Sequence, residues 1–215
     1  MSPPTVVLHI GAMKTGTTYL QSIFDGNEAA LTDSGVFWPG PVRSYQRHAV
    51  RDLLDSAAAG ASPSGRWAEL VERVLACEKP LAVVSMEFLS FADQAAAERA
   101  VRSFAAAHVR VVLTLRDLGR TIPAQWQEST QNMNSWTYTE YLQGLETFPE
   151  HRNRPGRHFW RRQNWPTIVR NWQPWVKLGV HEIYAPASHH SRVKLDYPVA
   201  MGGYGQPSRR ETPLV

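Results

Sequence analysis

Val6-Val7-Leu8-His9-Ile10-Gly11-Ala12-Met13-Lys14-Thr15-Gly16-Thr17-Thr18-Tyr19-Leu20 is the stretch that decides the fold. An apolar run gives way to a glycine-bounded segment, and that segment opens a helix. Gly11 and Gly16 enclose four residues, and two threonines follow. Backbone N–H groups at such a turn converge on one point, and the positive end of the helix dipole adds to them. The combination binds phosphate-like anions. A strand before the loop and a helix after it make the signal more specific than the glycines alone.

The place of the lysine decides which anion. A nucleotide-triphosphate loop reads G-x-x-x-x-G-K-[ST], with lysine directly after the second glycine. Here that place is held by Thr17, and the lysine is Lys14, inside the loop. The segment Lys14-Thr15-Gly16-Thr17-Thr18-Tyr19 resembles the 5′-phosphosulfate loop of sulfotransferases that use PAPS (3′-phosphoadenylyl sulfate). The resemblance implies that Lys14, Thr15, Gly16, Thr17 and Thr18 hold the phosphosulfate. Lys14 would stabilise charge on the oxygen that bridges sulfur to the 5′-phosphate. Tyr19 stands where relatives carry an aromatic near adenine; ring stacking and plain apolar packing are both open to it.

A second segment points the same way. Val109-Arg110-Val111-Val112-Leu113-Thr114-Leu115 reads as a buried strand, and Arg116-Asp117-Leu118-Gly119-Arg120 follows at its carboxyl end. Thr121 to Gln131 reads as a helix, with Pro123 in its first turn. An arginine at a strand end beside a helix start holds phosphate through charge-assisted, bidentate contacts. The segment is similar to the 3′-phosphate-binding region of sulfotransferases, with Arg116 in the place of the arginine. It departs from that pattern at Leu118, where the family has proline, and at Ala124, where it has a phosphate-binding serine. Gln125, Ser129 or Thr130 is then the candidate replacement for the missing hydroxyl. Trp126-Gln127-Glu128 gives the segment the style of bacterial carbohydrate-type sulfotransferases.

The remaining patterns fit one α/β domain. Leu81 to Ser85 reads as a buried strand, Gly35 to Pro39 as a short one, and His181 to Ala185 as a late one. Helices are expected over 18–24, 27–32, 47–59, 66–77, 92–107, 138–145 and 165–175. The expected architecture is a three-layer, P-loop-like α/β fold, its central parallel sheet covered by helices on both faces. It would span residues 1–187. Residues 188–215 form an irregular tail in which Gly202-Gly203-Tyr204-Gly205 is the only echo of a basic, glycine-containing cofactor-covering segment.

Composition sets the outer bounds. The chain has 215 residues, 43% hydrophobic and 20% charged, which is globular rather than disordered. Its one cysteine, Cys77, excludes an internal disulfide and a zinc cluster. No apolar run approaches the roughly 20 residues of a membrane span, and no basic leader precedes the first strand. A cytoplasmic location is expected. Net charge is +4, concentrated in His151 to His158 and in Arg161-Arg162, with Trp160 and Trp165 interleaved. That stretch reads as a solvated loop leading into a helix, with acceptor or cofactor contact as its functional alternative; no nucleic-acid partner is expected.

Transfer of a sulfuryl group also needs a base for the acceptor. His48, after the short Val36 strand, and Glu87, after the Val83 strand, are the candidates. The bland alternatives are a surface helix residue for His48 and a dipole-favouring helix-start carboxylate for Glu87. His9, inside the first strand, reads as a core histidine, and His189-His190 have no further ligands at metal spacing. The resemblance implies PAPS as co-substrate, no metal, and a small-molecule or carbohydrate hydroxyl or amine as acceptor. Two rival readings stand beside it. A nucleotide kinase or NTPase is disfavoured by Thr17, while a non-catalytic PAP-binding protein is favoured by Ala124 and the unusual tail. Oligomeric state is not encoded in any motif.

Overall fold

The computed structural model describes residues 3–40, 43–55, 64–176 and 178–182. Five parallel strands form one sheet: β1 (Thr5–His9), β2 (Val36–Phe37), β3 (Leu81–Ser85), β4 (His108–Leu115) and β5 (Leu178–Glu182). Their spatial order is β2-β3-β1-β4-β5. Parallel neighbours need crossovers, and helices supply them. These are α1 (Thr17–Gly26), α2 (Glu28–Asp33), α3 (Arg43–Asp55), α4 (Arg66–Leu75), α5 (Gln94–Arg102), α6 (Leu118–Gln131), α7 (Tyr138–Glu146), α8 (Arg154–Gln163) and α9 (Trp165–Trp172). The expected α/β fold with a helix-flanked parallel sheet is the one observed.

Strand alternation divides the work of the two faces. Val6, Leu8, Val84, Val111 and Leu113 lie in one hydrophobic core with Val50 and Leu53 of α3, Leu70 of α4, Ala97 of α5 and Trp172 of α9. The alternate positions of the same three strands end in His9, Ser85 and Thr114, all buried and polar. A second, smaller core joins Tyr141, Leu145 and Phe159 between α7 and α8, with Trp126 and Trp136 packed against it.

Order within the sheet positions the site. The chain leaves central β1 for β2 at the edge, returns to β3, then crosses to β4. Strand order reverses around β1, and in open α/β sheets the crevice beyond the carboxyl ends at such a point is where ligands bind. The loops after β1, β3 and β4 all open there.

Several element boundaries differ from the sequence expectation, each for a local reason. Helix α6 begins at Leu118 because Asp117 caps it, its carboxylate accepting from Arg120 N at 2.9 Å. Pro123 therefore lies inside the helix, where it removes a backbone donor. The alanine-rich helix expected over 92–107 is α5 alone, after a 3₁₀ turn at Glu87–Phe91. Asp93 fixes its start by accepting from Ala96 N, and Ser103 Oγ binds back to Arg99 O at its end. The basic stretch is loop only as far as Asn153, whose side chain accepts from Gly156 N at 2.6 Å and starts α8. Helix α3 begins four residues earlier than expected, and β5 three residues earlier. The tail expected over 188–215, with His189 and His190, lies outside the described residues.

Candidate functional site

The loop between β1 and α1 is held open above and packed tightly below. Gly16, at the start of α1, has φ 87°, in the left-handed region glycine adopts freely. A Cβ there would meet nothing within 4 Å, so the mouth of the loop is clear. Gly11 is the opposite case. A Cβ on it would collide with Thr114 Oγ1 and lie 2.8 Å from Thr17 Oγ1 and 3.1 Å from His9 Nε2. Only glycine lets the loop lie this close to β4. Lys14 also has a positive φ, 67°, which costs a residue with a Cβ about 1–2 kcal/mol. Such strain persists where the surroundings fix it, and it clusters at functional sites. Helix α1 has no side-chain cap and no acid in its first turn. Its first N–H groups lie beyond the reach of the helix's own carbonyls, as at any helix start.

Beneath the loop lies a buried hydroxyl–imidazole network. His9 Nδ1 is 2.7 Å from Ser85 Oγ, and His9 Nε2 is 3.0 Å from Thr114 Oγ1. One imidazole thereby ties β3, β1 and β4 together. Burial pushes its pKa down to about 4, so it is neutral at pH 7 and structural, as expected. Thr15 Oγ1 donates to Ala12 O at 2.7 Å and lies 3.0 Å from Thr114 Oγ1 and 3.4 Å from Thr17 Oγ1. The Thr15 and Thr17 side chains are thus buried in the loop's foundation. What these two residues offer a ligand is backbone.

Arg116 brings the second segment to the first. Its Nη1 donates to Lys14 O at 3.4 Å, while its Nε is buried with no partner among the described residues. The replacements considered for the missing serine hydroxyl are otherwise engaged. Ser129 is buried and donates to Trp126 O at 2.7 Å, Thr130 donates to Gln127 O at 2.8 Å, and Gln125 faces Glu128. None of the three has a bond toward Arg116.

The sequence reading missed an acid here. Glu128 Oε2 lies 3.5 Å from Lys14 Nζ and accepts from Gln125 Nε2 at 2.8 Å. Gln163, on α8, donates to Met13 O at 2.7 Å and reaches Gln125 Oε1 at 3.4 Å. Gln125 and Gln163 are both buried, so an amide ladder joins α6 and α8 to the loop. Arg162, one residue before Gln163, is drawn electrostatically to Glu128, while desolvation lowers its own pKa. His158 beside them is pushed down to about 4, chiefly by burial and then by Arg162. The signal available in sequence was the Gln125/Glu128 spacing, which puts both on one helix face.

The other expected residues are scattered differently. Glu87 sits just past β3, where its Oε2 accepts from Gln21 Nε2 at 3.4 Å; the same amide donates to Ser85 O at 2.8 Å. Gln21 lies on α1, so Glu87 shares the carboxyl edge with the loop. His48 lies on α3, whose Gln46 bonds Pro39 O and Ser85 N and whose Ala49, Val50 and Leu53 are buried. His48 lies roughly 200° around the helix from Gln46, and no hydrogen bond or ion pair among the described residues joins it to the loop. Tyr19 is 73% exposed, which settles against apolar packing. A cleft of about 400 Å³ is lined by Arg51, Phe88, Phe91 and Arg161, and by neither Glu87 nor the loop. Phe88 and Phe91 stack there at 5.9 Å, with Arg51 over the first ring and Arg161 over the second.

By sequence, the chain matches no family model and no curated protein. By structure it is similar to a sulfotransferase from Alicyclobacillus acidocaldarius, at a TM-score of 0.51 and 14% identity, covering 85% of this chain and 74% of that one. The chain shares a sulfotransferase fold. The glycine loop, Arg116 and Glu87 line the carboxyl edge of that fold's sheet, where its crevice lies. Among the described residues no helix is long and apolar enough to cross a membrane, and no group of three or more His, Cys, Asp or Glu could hold a metal ion.

Proposed function

We propose that this chain is a PAPS-dependent sulfotransferase that moves a sulfuryl group to a hydroxyl or amine of a small-molecule or carbohydrate acceptor and releases PAP. The observation that carries the reading is the coupling of the two anion sites, with Arg116 Nη1 bonded to the carbonyl of Lys14. A donor with phosphate at both its 3′ and 5′ positions calls for two cationic anchors joined at one edge. The fit of the residues supports this. The uncapped start of α1 and the open face of Gly16 suit the 5′ anion, and the unpartnered Arg116 Nε suits the 3′ phosphate. Exposed Tyr19 is free to stack on the adenine.

In the proposed reaction the acceptor oxygen or nitrogen forms a bond to sulfur. The bond between sulfur and the bridging oxygen breaks, and its electron pair stays on what becomes the 5′-phosphate of PAP. Lys14 stabilises that growing charge more strongly in the transition state than in the ground state, which is the condition for catalysis. The backbone N–H groups from Thr15 to Thr18 hold the phosphosulfate in line. Glu87 takes the acceptor's proton. His48 remains the alternative base.

The test is transfer from labelled PAPS to a panel of carbohydrate and small hydroxyl or amine acceptors, followed by PAP release. The expected outcome is acceptor-dependent PAP release, lost in Glu87→Gln and kept in His48→Ala. Loss in His48→Ala alone would move the base to His48. Magnesium-dependent ATP turnover that survives Lys14→Ala, or PAP binding without transfer to any acceptor, would overturn the reading.

A further inference from the structure

We propose that Glu128 is the resting counter-ion of Lys14 and competes with the incoming anion for its ammonium, so that donor binding and the opening of this ion pair are one exchange. The inference rests on the proposed donor site and adds to it an element that lowers its affinity. Glu128 Oε2 is 3.5 Å from Lys14 Nζ, and the two side chains are 24% and 32% exposed. The carboxylate does not wander: Gln125 donates to it at 2.8 Å, and Gln125 is reached by Gln163, which is bonded to the loop at Met13 O.

Each partner is built to separate. The Lys14 backbone is fixed by its left-handed φ and by the Arg116 contact to its carbonyl. Only the four-carbon stem need move to carry the ammonium from Glu128 to an anion over the loop. Glu128, once released, keeps the Gln125 N–H and the nearby charge of Arg162, so it is not left bare. A partly exposed pair 3.5 Å apart, with a single contact, contributes little by itself, so the exchange is shallow and reversible. When PAP leaves, the carboxylate takes the ammonium back, which speeds release of a product that carries two phosphates.

The test is a double-mutant cycle on binding. Glu128→Gln keeps the shape and an oxygen for Gln125 but removes the charge. PAP affinity is measured by calorimetry and PAP dissociation by stopped flow, with pyrophosphate as a second probe that needs no adenosine site. Expected is roughly fivefold tighter binding of both probes in Glu128→Gln, with slower PAP dissociation. In a Lys14→Ala background the same change should alter affinity less than about twofold. A structural role predicts the opposite, since damage to the α6–α8 ladder weakens binding. Unchanged or weaker binding in Glu128→Gln, or an equal gain without Lys14, overturns the exchange. Pyrophosphate binding without PAP binding would sink the PAPS reading while the cycle still tests Glu128. Should Glu128→Gln fold poorly by circular dichroism, Glu128→Ala carries the same cycle. No binding of either probe to any folded variant overturns both.

Discussion

The loop after β1 and the loop after β4 meet at one edge of the sheet, yet they are built on different logic. In the first, conformation does the work. Gly11 is packed against Thr114, Gly16 is open, and Lys14 is held at positive φ. In the second, side chains do it. Arg116 reaches across to the first loop, Asp117 caps α6, and Gln125 and Glu128 reach back with help from Gln163 on α8. A site made from backbone geometry is set by a few contiguous residues. A site made from side-chain reach depends on elements far apart in the chain.

The sharpest way to break this contrast is Lys14→Ala. If Lys14 acts on developing charge, transfer should fall about 100-fold or more while PAP affinity falls by no more than about tenfold. Paired assays of kcat/KM and PAP binding check this, and equal losses in both would reduce Lys14 to an anchor.

The foundation beneath both loops gives the next effect. His9 is buried, with its pKa lowered from 6.5 to about 4. The unfolded chain therefore binds the proton more readily between those values. His9's contribution to stability is full above about pH 6.5 and is lost as pH falls toward 4, amounting to about 3 kcal/mol across that window. Urea unfolding at pH 7 and pH 4.5 should show the loss, and His9→Gln should reduce it, leaving the share of His158, whose pKa burial also lowers to about 4. An unchanged slope in that variant would remove His9 from the account of acid sensitivity.

Arg116→Ala comes third. Losing a charge-assisted contact is worth about 1.5–3 kcal/mol, or roughly ten- to a hundredfold in PAP affinity. ADP, which has no 3′-phosphate, should bind the variant and the wild type nearly alike. A parallel loss for ADP would mean that Arg116 matters through Lys14 O rather than through the 3′-phosphate. Gln163→Ala is the mildest probe. It removes the bond to Met13 O and should weaken PAP binding by roughly fivefold, at a net stability cost of about 1 kcal/mol. No change in either would mean that the amide ladder leaves the loop unaffected.

The same contrast explains what could be read in the sequence. The fold was legible because alternating apolar strands and periodic helices record burial directly in residue order. Leu81–Ser85 as a strand and a helix after the loop, expected from Thr18 and found from Thr17, needed no distant information. The turn that carries Lys14 was legible for the same reason, since Gly11 and Gly16 announce it. Glu128 was not, because its meaning comes from Lys14 Nζ across the fold, and nothing local distinguishes it from any surface acid of a helix. The contact of the Thr15 hydroxyl with Thr114, on a strand far away in the chain, was likewise not announced by anything local. The α6 start was placed at Thr121 because Asp117, its cap, was read only as part of the segment that follows the strand.

The central claim is that the two loops together form one donor site with a cation for each phosphate. Calorimetric titration of the full chain with PAP, with ADP and ATP–magnesium in parallel, tests it most directly. The account predicts saturable PAP binding, with ADP at least about tenfold weaker because Arg116 then lacks its phosphate. Equal affinity for PAP and ADP, or binding of ATP–magnesium alone, would contradict it.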